Sequence, residues 1–369
     1  MIFHFYAVVL TLFLCDYVAA ALCIARNPLS KMYGYMSCCS NKDSREECFN
    51  IDDFKYAGDP IKFSCIHEDQ QLGFDVYKSD EDDMMELAAK LDNGRGISLF
   101  FHGIGNKVSI DGYFFNAVKE WFSVSDKNIC IITYVYAKPT TLLTLLIDVN
   151  KMVRTKRLDF VAKQARDLVL NVREKCVESG KSDCLKSMSQ VDVIGFSFGS
   201  YIGSRTCEFL YEKTKERVKT LLGLDPPRTT IFLDNSPHFK RGDAEYTQVL
   251  HTSNNFGTSK KIGDVDIYVH YKFDTILLNL LKKHGLSVFL HIATATKRLY
   301  LIAEENGNGT MIANVGQKLR PLKSNEVLLG VYGTFNQRKK EKTFELNLVD
   351  KTKLFWDNLS GLVNVKYFG

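Results

Sequence analysis

The sequence predicts an α/β fold, a mostly parallel central sheet with helices on both faces, and three observations lead there. Apolar stretches at 96–101 and 128–136 run without polar alternation, as strands buried on both faces require. Segments of helical periodicity lie between and after them, most clearly at 158–174, where Val161, Ala165, Leu168, Val169 and Val172 recur on one face. Finally, VDVIGFSFGSYIGS at 191–204 reads as a buried strand, a tight turn at Ser197 with glycine on both sides, and a helix. With 369 residues, 45% hydrophobic and 12% aromatic, the chain can bury a large core.

Taken in order, residues 3–14 form an apolar run of the length of a signal-peptide h-region, followed by the small residues Val18-Ala19-Ala20-Ala21. Residues 1–21 are expected to be a signal peptide and the protein to be secreted. The absence of Lys and Arg before the run keeps an uncleaved anchor as the rival. Ten cysteines are present, five of them between 23 and 65, which fits a disulfide-pinned cap over 22–70 in an oxidising compartment. Cys176 and Cys184 are placed to close one short loop. Zinc is disfavoured, because no CxxC pair or histidine spacing accompanies the cysteines. The sequons at Asn308 and Asn358 suit the same compartment.

The remaining chain, 71–369, is expected to be one domain. It holds an edge strand at 72–77, a helix opened by the acidic run 80–83, a strand at 96–101, a helix at 111–124, a strand at 128–136 and the helix at 158–174. After the turn at Ser197 the helix continues to about Lys213. A strand at 218–224 is then stopped by Asp225-Pro226-Pro227. Further strands are expected at 248–252 and 265–269, a helix at 292–303, and a closing pair of strands at 326–335 and 342–349, giving one antiparallel edge. The net charge of +5 is modest and interspersed, so nucleic acid is not implied. The basic clusters at 151–157 and 338–342 are candidate contacts for an anionic lipid surface, or simply solvated faces.

The chemistry centres on Ser197. A serine hydroxyl is a poor nucleophile at neutral pH and needs a base within reach and a third group to orient that base. In the α/β-hydrolase order the acid follows the serine and the histidine comes last. Asp225 stands at the end of the next strand, where ligand-facing groups of open α/β sheets gather. The histidines that follow are His238, His251, His270, His284 and His291. His291 is preferred, as the opening residue of a helix after a long loop, with His284 second. Oxyanion donors are expected from the backbone of Phe198 and of Ile104 in the loop Phe101-His102-Gly103-Ile104-Gly105, with His102 itself structural.

The ordered segments FFHG (from Phe100), IGFSFGS (from Ile194), GLDPP (from Gly223), GDAEYTQVLHT (from Gly242) and IGDVDIY (from Ile262), with a late histidine, resemble the pancreatic-lipase family. The resemblance covers roughly residues 70–350. It implies a secreted α/β-hydrolase with a single lipase domain, acting on phospholipid or glyceride esters at a lipid–water interface. Carried over by position, it implies a triad of Ser197, Asp225 and His291 and oxyanion donors at Ile104 and Phe198. The family lid corresponds to 269–290, which is short, as is the loop at 228–240, and the pair resembles phospholipase A1-like members. The apolar residues Ile276 to Leu281 in that interval are candidates for peripheral contact with a membrane surface. About 78 residues follow His291, too few for the lipid-binding β-sandwich of larger lipases, so no colipase partner is expected. Lys240 replaces an acidic calcium ligand of some members, so neither metal nor cofactor is expected. Departures gather near the histidine: Phe289 and Leu290 replace the family's cysteine and serine, and Ala293 its arginine. They leave an alternative, a lipase-fold protein that binds or stores lipid without catalysis, as yolk-protein relatives do.

Overall fold

In the computed structural model, residues 61–104, 112–134, 149–150, 152–153, 156–228, 239–254, 256–272, 276–314, 319–334 and 341–361 are described. The signal peptide, most of the N-terminal cap, His238 and parts of the two basic clusters lie outside these residues. The strands in chain order are β1 (Lys62–Ile66), β2 (Asp75–Lys78), β3 (Gly96–Phe101), β4 (Lys127–Thr133), β5 (Val191–Phe196), β6 (Val218–Leu224), β7 (Ala244–His251), β8 (Val265–His270), β9 (Leu299–Glu304), β10 (Thr310–Ala313), β11 (Glu326–Leu328) and β12 (Lys342–Asn347). The helices used below are α1 (Glu81–Leu91), α2 (Gly112–Val124), α3 (Arg157–Ser179), α4 (Gly199–Thr214), α5 (Ile276–Ala295) and α6 (Thr352–Leu359).

One sheet has the order β10-β9-β12-β8-β7-β6-β5-β3-β4-β1-β2, with β11 also on β9. The seven strands from β4 to β12 are parallel. Their residues alternate between two apolar cores. Ile97, Leu99, Phe101, Val191 and Val193 face α1, α3 and α4, whereas Phe100, Ile129, Ile131 and Ile194 face α2, α5 and α6. This double burial is why the strands read as unbroken apolar runs. The arrangement is an α/β-hydrolase fold.

Four expectations need correction. Antiparallel strands flank the sheet at both ends, not one, through β1 and β2 on one side and β9 to β11 on the other. Residues 62–66, expected to belong to an irregular cap, form β1 and lie beside β4. The helix expected at 292–303 is the end of α5 followed by β9, with the break at Lys297, whose φ of +55° is a left-handed helix stop. The strands expected to close the sheet as a pair do so separately, β11 on β9 and β12 mainly on β8.

Two disulfides are present among the described cysteines, Cys65–Cys130 and Cys176–Cys184. The first joins residues paired directly across β1 and β4 and closes a loop with a sequence separation of 65; the second closes one of 8. Loop-closure entropy gives about 4 kcal/mol for the long loop and about 2.5 kcal/mol for the short one. Accordingly, replacing Cys65 and Cys130 by alanine is expected to lower the urea midpoint more than replacing Cys176 and Cys184, as equilibrium unfolding followed by tryptophan fluorescence will read.

Candidate active site

The site lies where strand order reverses. The β3–α2–β4 connection moves one way along the sheet, and β5 then returns to the other side of β3, so the loops leaving β3 and β5 sit side by side above the C-terminal strand ends. Phe101 is opposite Gly195, and Phe196 opposite Leu224, which brings His102, Ser197 and Asp225 out on adjacent strands. The backbone clamps that order: Ser197 N donates to Leu224 O at 2.9 Å, and Asp225 N to Leu250 O at 2.8 Å.

Ser197 has a φ of +52°, the strained backbone of a nucleophile elbow. Its glycine neighbours are required by close approach. A Cβ at Gly195 would fall 2.4 Å from Gly199 O, and one at Gly199 would fall 2.3 Å from Phe101 O. The chain passes directly into α4, so the partial positive charge of a helix N-terminus lies at the serine. The loop after β3 presses on the elbow, since a methyl group at Gly103 would meet Ser197 Cβ at 3.1 Å. Tyr134 fixes this loop by donating its hydroxyl to His102 O and stacking on the His102 ring at 4.5 Å. Phe198 is buried at the start of α4, and Ile104 is half-buried against the core; both flank the serine in sequence and loop order. Burial lowers the His102 pKa to about 4 against the opposing pull of the Gly103 carbonyl, so the ring is neutral and structural.

Asp225 is wholly buried, and its partner is His284. His284 Nδ1 lies 2.6 Å from Asp225 Oδ2, while Asp225 Oδ1 accepts from the backbone N–H groups of Thr252 (2.9 Å) and Ser253 (3.1 Å). With Nδ1 turned to a carboxylate, the ring carries its proton there and leaves the Nε2 lone pair for a second partner. The His284 ring is 4.8 Å from that of Phe196, the residue before Ser197, and 5.6 Å from that of Phe256. Its side chain is 14% exposed, so the histidine, unlike the aspartate, can meet an incoming molecule. Among the described residues no hydrogen bond joins Ser197 Oγ to His284; such bonds are often long in unliganded sites and tighten in the complex.

His291 is not brought to Asp225, contrary to the expectation from sequence. It does not open a helix but lies in the last turns of α5, seven residues beyond His284, a rise of about 10.5 Å. There it stacks on Phe100 at 5.8 Å and meets Trp121 edge-on at 4.9 Å, beside a small apolar cavity lined also by Ile131, Val288 and Ile292. Among the described residues neither ring nitrogen has a hydrogen-bond partner. Burial lowers its pKa to about 3, so the imidazole stays neutral in the folded protein. Below the ordinary histidine pKa of ~6.5 the unfolded chain then binds a proton that the folded one refuses, and stability falls as pH drops toward 3. A His291→Phe variant lacks this loss. Its stability advantage over the natural protein is expected to grow by up to about 1.4 kcal/mol per pH unit below pH 6.5, measured by urea unfolding at pH 7.5 and pH 5.

The other described candidates, His251 and His270, are engaged elsewhere. His251 is buried between Thr258 O (2.7 Å) and Asp266 Oδ1 (2.8 Å), and exposed His270 faces Glu345 at 2.6 Å. The interval expected to be a lid, 269–290, ends β8 and then forms most of α5.

The Lipase family model matches residues 31–271, well over half of the chain. The chain belongs to the lipase family. A phospholipase A1 of Vespula maculifrons is 34% identical over 85 residues, covering 23% of this chain and 28% of that protein. Phospholipase A1 1 of Dolichovespula maculata is 30% identical over 105 residues, 28% of this chain and 32% of that protein. The probable phospholipase A1 magnifin of Vespa magnifica is 37% identical over 87 residues, 23% and 25% of the two chains. The chain thus spans about a quarter to a third of the length of these curated relatives. Among solved structures, a dienelactone hydrolase of Anabaena variabilis is 15% identical with a TM-score of 0.26, over 48% of this chain and 64% of that one, a likeness too slight to carry an argument.

Within this lipase-family chain, the family's residues around the histidine mark neither candidate. His284 is preceded by Lys282-Lys283 and followed two positions on by Leu286, no closer to a cysteine, serine and arginine than the residues around His291. The signal in the sequence for the histidine that meets Asp225 is positional. A helix that starts six residues after β8 has its first turns at the sheet's C-terminal edge, so the earlier of two histidines on one face is the one near the elbow.

Proposed function

We propose that this protein is a secreted lipid carboxylic-ester hydrolase of the phospholipase A1 kind, acting through Ser197, His284 and Asp225. The observation that carries the reading is the 2.6 Å contact between His284 Nδ1 and the buried Asp225, on the strand next to the elbow serine. Asp225 holds the ring in the tautomer that leaves Nε2 as a base. As an ester carbonyl approaches, Nε2 takes the Ser197 proton while Oγ bonds to carbon, and the carbonyl π pair moves onto oxygen. That oxygen would be met by the N–H groups of Phe198 and Ile104 at the positive end of α4. Collapse expels the alcohol, a lysophospholipid for a phospholipid substrate, which receives the proton from imidazolium. Water then repeats the sequence on acyl-Ser197 and releases fatty acid. Asp225 remains a carboxylate throughout and stabilises the imidazolium.

Phospholipid is favoured over triacylglycerol by the likeness to phospholipases A1 and by the short 228–240 interval. Among the described residues no helix is long and apolar enough to cross a membrane. The test is fatty-acid release by the purified protein from phosphatidylcholine vesicles and from a triacylglycerol emulsion, beside a Ser197→Ala variant and labelling with a fluorophosphonate. Release from phospholipid that the variant loses, with label on Ser197, is expected. No release from either lipid and no label would sink the reading in favour of a lipid-binding protein.

A further inference from the structure

We propose that Ser253 is a positioning residue for Asp225, a reading that rests on the triad proposed above. Ser253 is buried in the loop that follows β7 and contributes two donors to the acid. Its backbone N–H reaches Oδ1 at 3.1 Å, and its hydroxyl reaches Oδ2 at 2.5 Å. The direction of the hydroxyl proton is fixed by its other partner. Gly257 N donates to Ser253 Oγ at 2.9 Å, so the hydroxyl accepts there and has its single proton left for the carboxylate, which can only accept. Asp225 Oδ2 therefore receives two donors, Ser253 Oγ–H and His284 Nδ1–H, while Oδ1 is held by the amides of Thr252 and Ser253.

The surrounding loop is built to keep that hydroxyl in place. A Cβ at Gly257 would lie 2.3 Å from Asp225 Oδ1, so only glycine lets the loop close over the acid. Thr258 N donates to Pro226 O at 2.7 Å, and Pro227 bridges to Gly257. Behind the loop, His251 ties Thr258 O to Asp266, whose carboxylate also accepts from Ile262 N and Gly263 N. The GLDPP, LHT and IGDVD segments of the sequence thus form one cage, in which Ser253 is the side chain touching the acid. Two consequences follow for catalysis. The hydroxyl fixes the plane of the carboxylate so that Oδ2 faces His284, and by hydrogen-bonding to the charged form it makes the carboxylate a weaker acceptor toward the imidazolium.

The experiment uses the full-length secreted protein and its Ser253→Ala and Ser253→Thr variants, with kinetics on a soluble short-chain ester per fluorophosphonate-titrated site. Alongside it, the low-field proton NMR resonance of the His284 Nδ1–H is recorded. Ser253→Ala is expected to lower kcat roughly tenfold or more with KM changed less than about twofold, to move the acid limb of the kcat/KM profile to higher pH, and to shift the low-field resonance. Ser253→Thr, which keeps the hydroxyl, is expected to restore kcat to within about threefold and to return the acid limb. An unchanged kcat and acid limb in Ser253→Ala, or failure of the threonine to restore them, overturns the proposal. If the natural protein itself hydrolyses nothing, the proposed activity fails separately, and the resonance still decides: unmoved by Ser253→Ala, it overturns the positioning role.

Discussion

Replacing His284 by alanine is expected to lower kcat by about 10⁴-fold or more, to the level of Ser197→Ala, whereas His291→Phe retains kcat within about threefold. The two histidines share one face of α5 but not one chemistry. His284 meets a buried carboxylate at 2.6 Å and keeps a side exposed, so it can cycle between imidazole and imidazolium with the positive charge compensated. His291 has no partner at either nitrogen among the described residues and packs against Phe100, Trp121 and aliphatic groups, where an imidazolium would be a lone buried charge. Initial rates on a lipid ester, with labelling of Ser197 as the count of folded sites, separate them. Loss of turnover in His291→Phe with Ser197 still accessible would return the base role to His291.

Gly199→Ala carries the second largest expected effect, a loss of about 3 kcal/mol or more together with loss of labelling at Ser197. The added methyl would sit 2.3 Å from Phe101 O and 2.5 Å from His102 O. Those atoms belong to the backbone of β3 and of the loop expected to supply an oxyanion donor, and neither can rotate away as a side chain could. Either α4 lifts from the sheet or the loop after β3 retreats, and both displace the serine from its surroundings. Thermal unfolding and fluorophosphonate labelling of the same preparation check this. A variant with a natural midpoint and full labelling would show that the elbow has more room than these distances allow.

Much of the fold is legible in the residues. β3 to β8 and α1 to α4 lie close to where apolar runs and helical spacing place them, because burial on both faces writes itself directly into a strand and a single buried face into a helix. β1 escapes notice because its five residues, KFSCI, are too short to show a period, and Cys65 gains meaning only when it is opposite Cys130. β9 is misread because Ala, Leu and Lys around it favour a helix, and only pairing with β10 and β11, with a single pair to β12, makes a strand the better use of LYLIAE.

The proposed catalytic set divides along the same line. Ser197 and Asp225 are local features: a glycine-flanked serine between strand and helix, and an acid stopped by two prolines at the next strand end. Sequence by itself determined both, together with the lipase-like order of the segments around them. Which histidine faces Asp225 was decided by tertiary structure alone. Positions 284 and 291 are two turns apart on one helix and equivalent in pattern, so the choice depends on how far each stands from the sheet's C-terminal edge, a distance set by where α5 begins and by how it packs on β3 and β4.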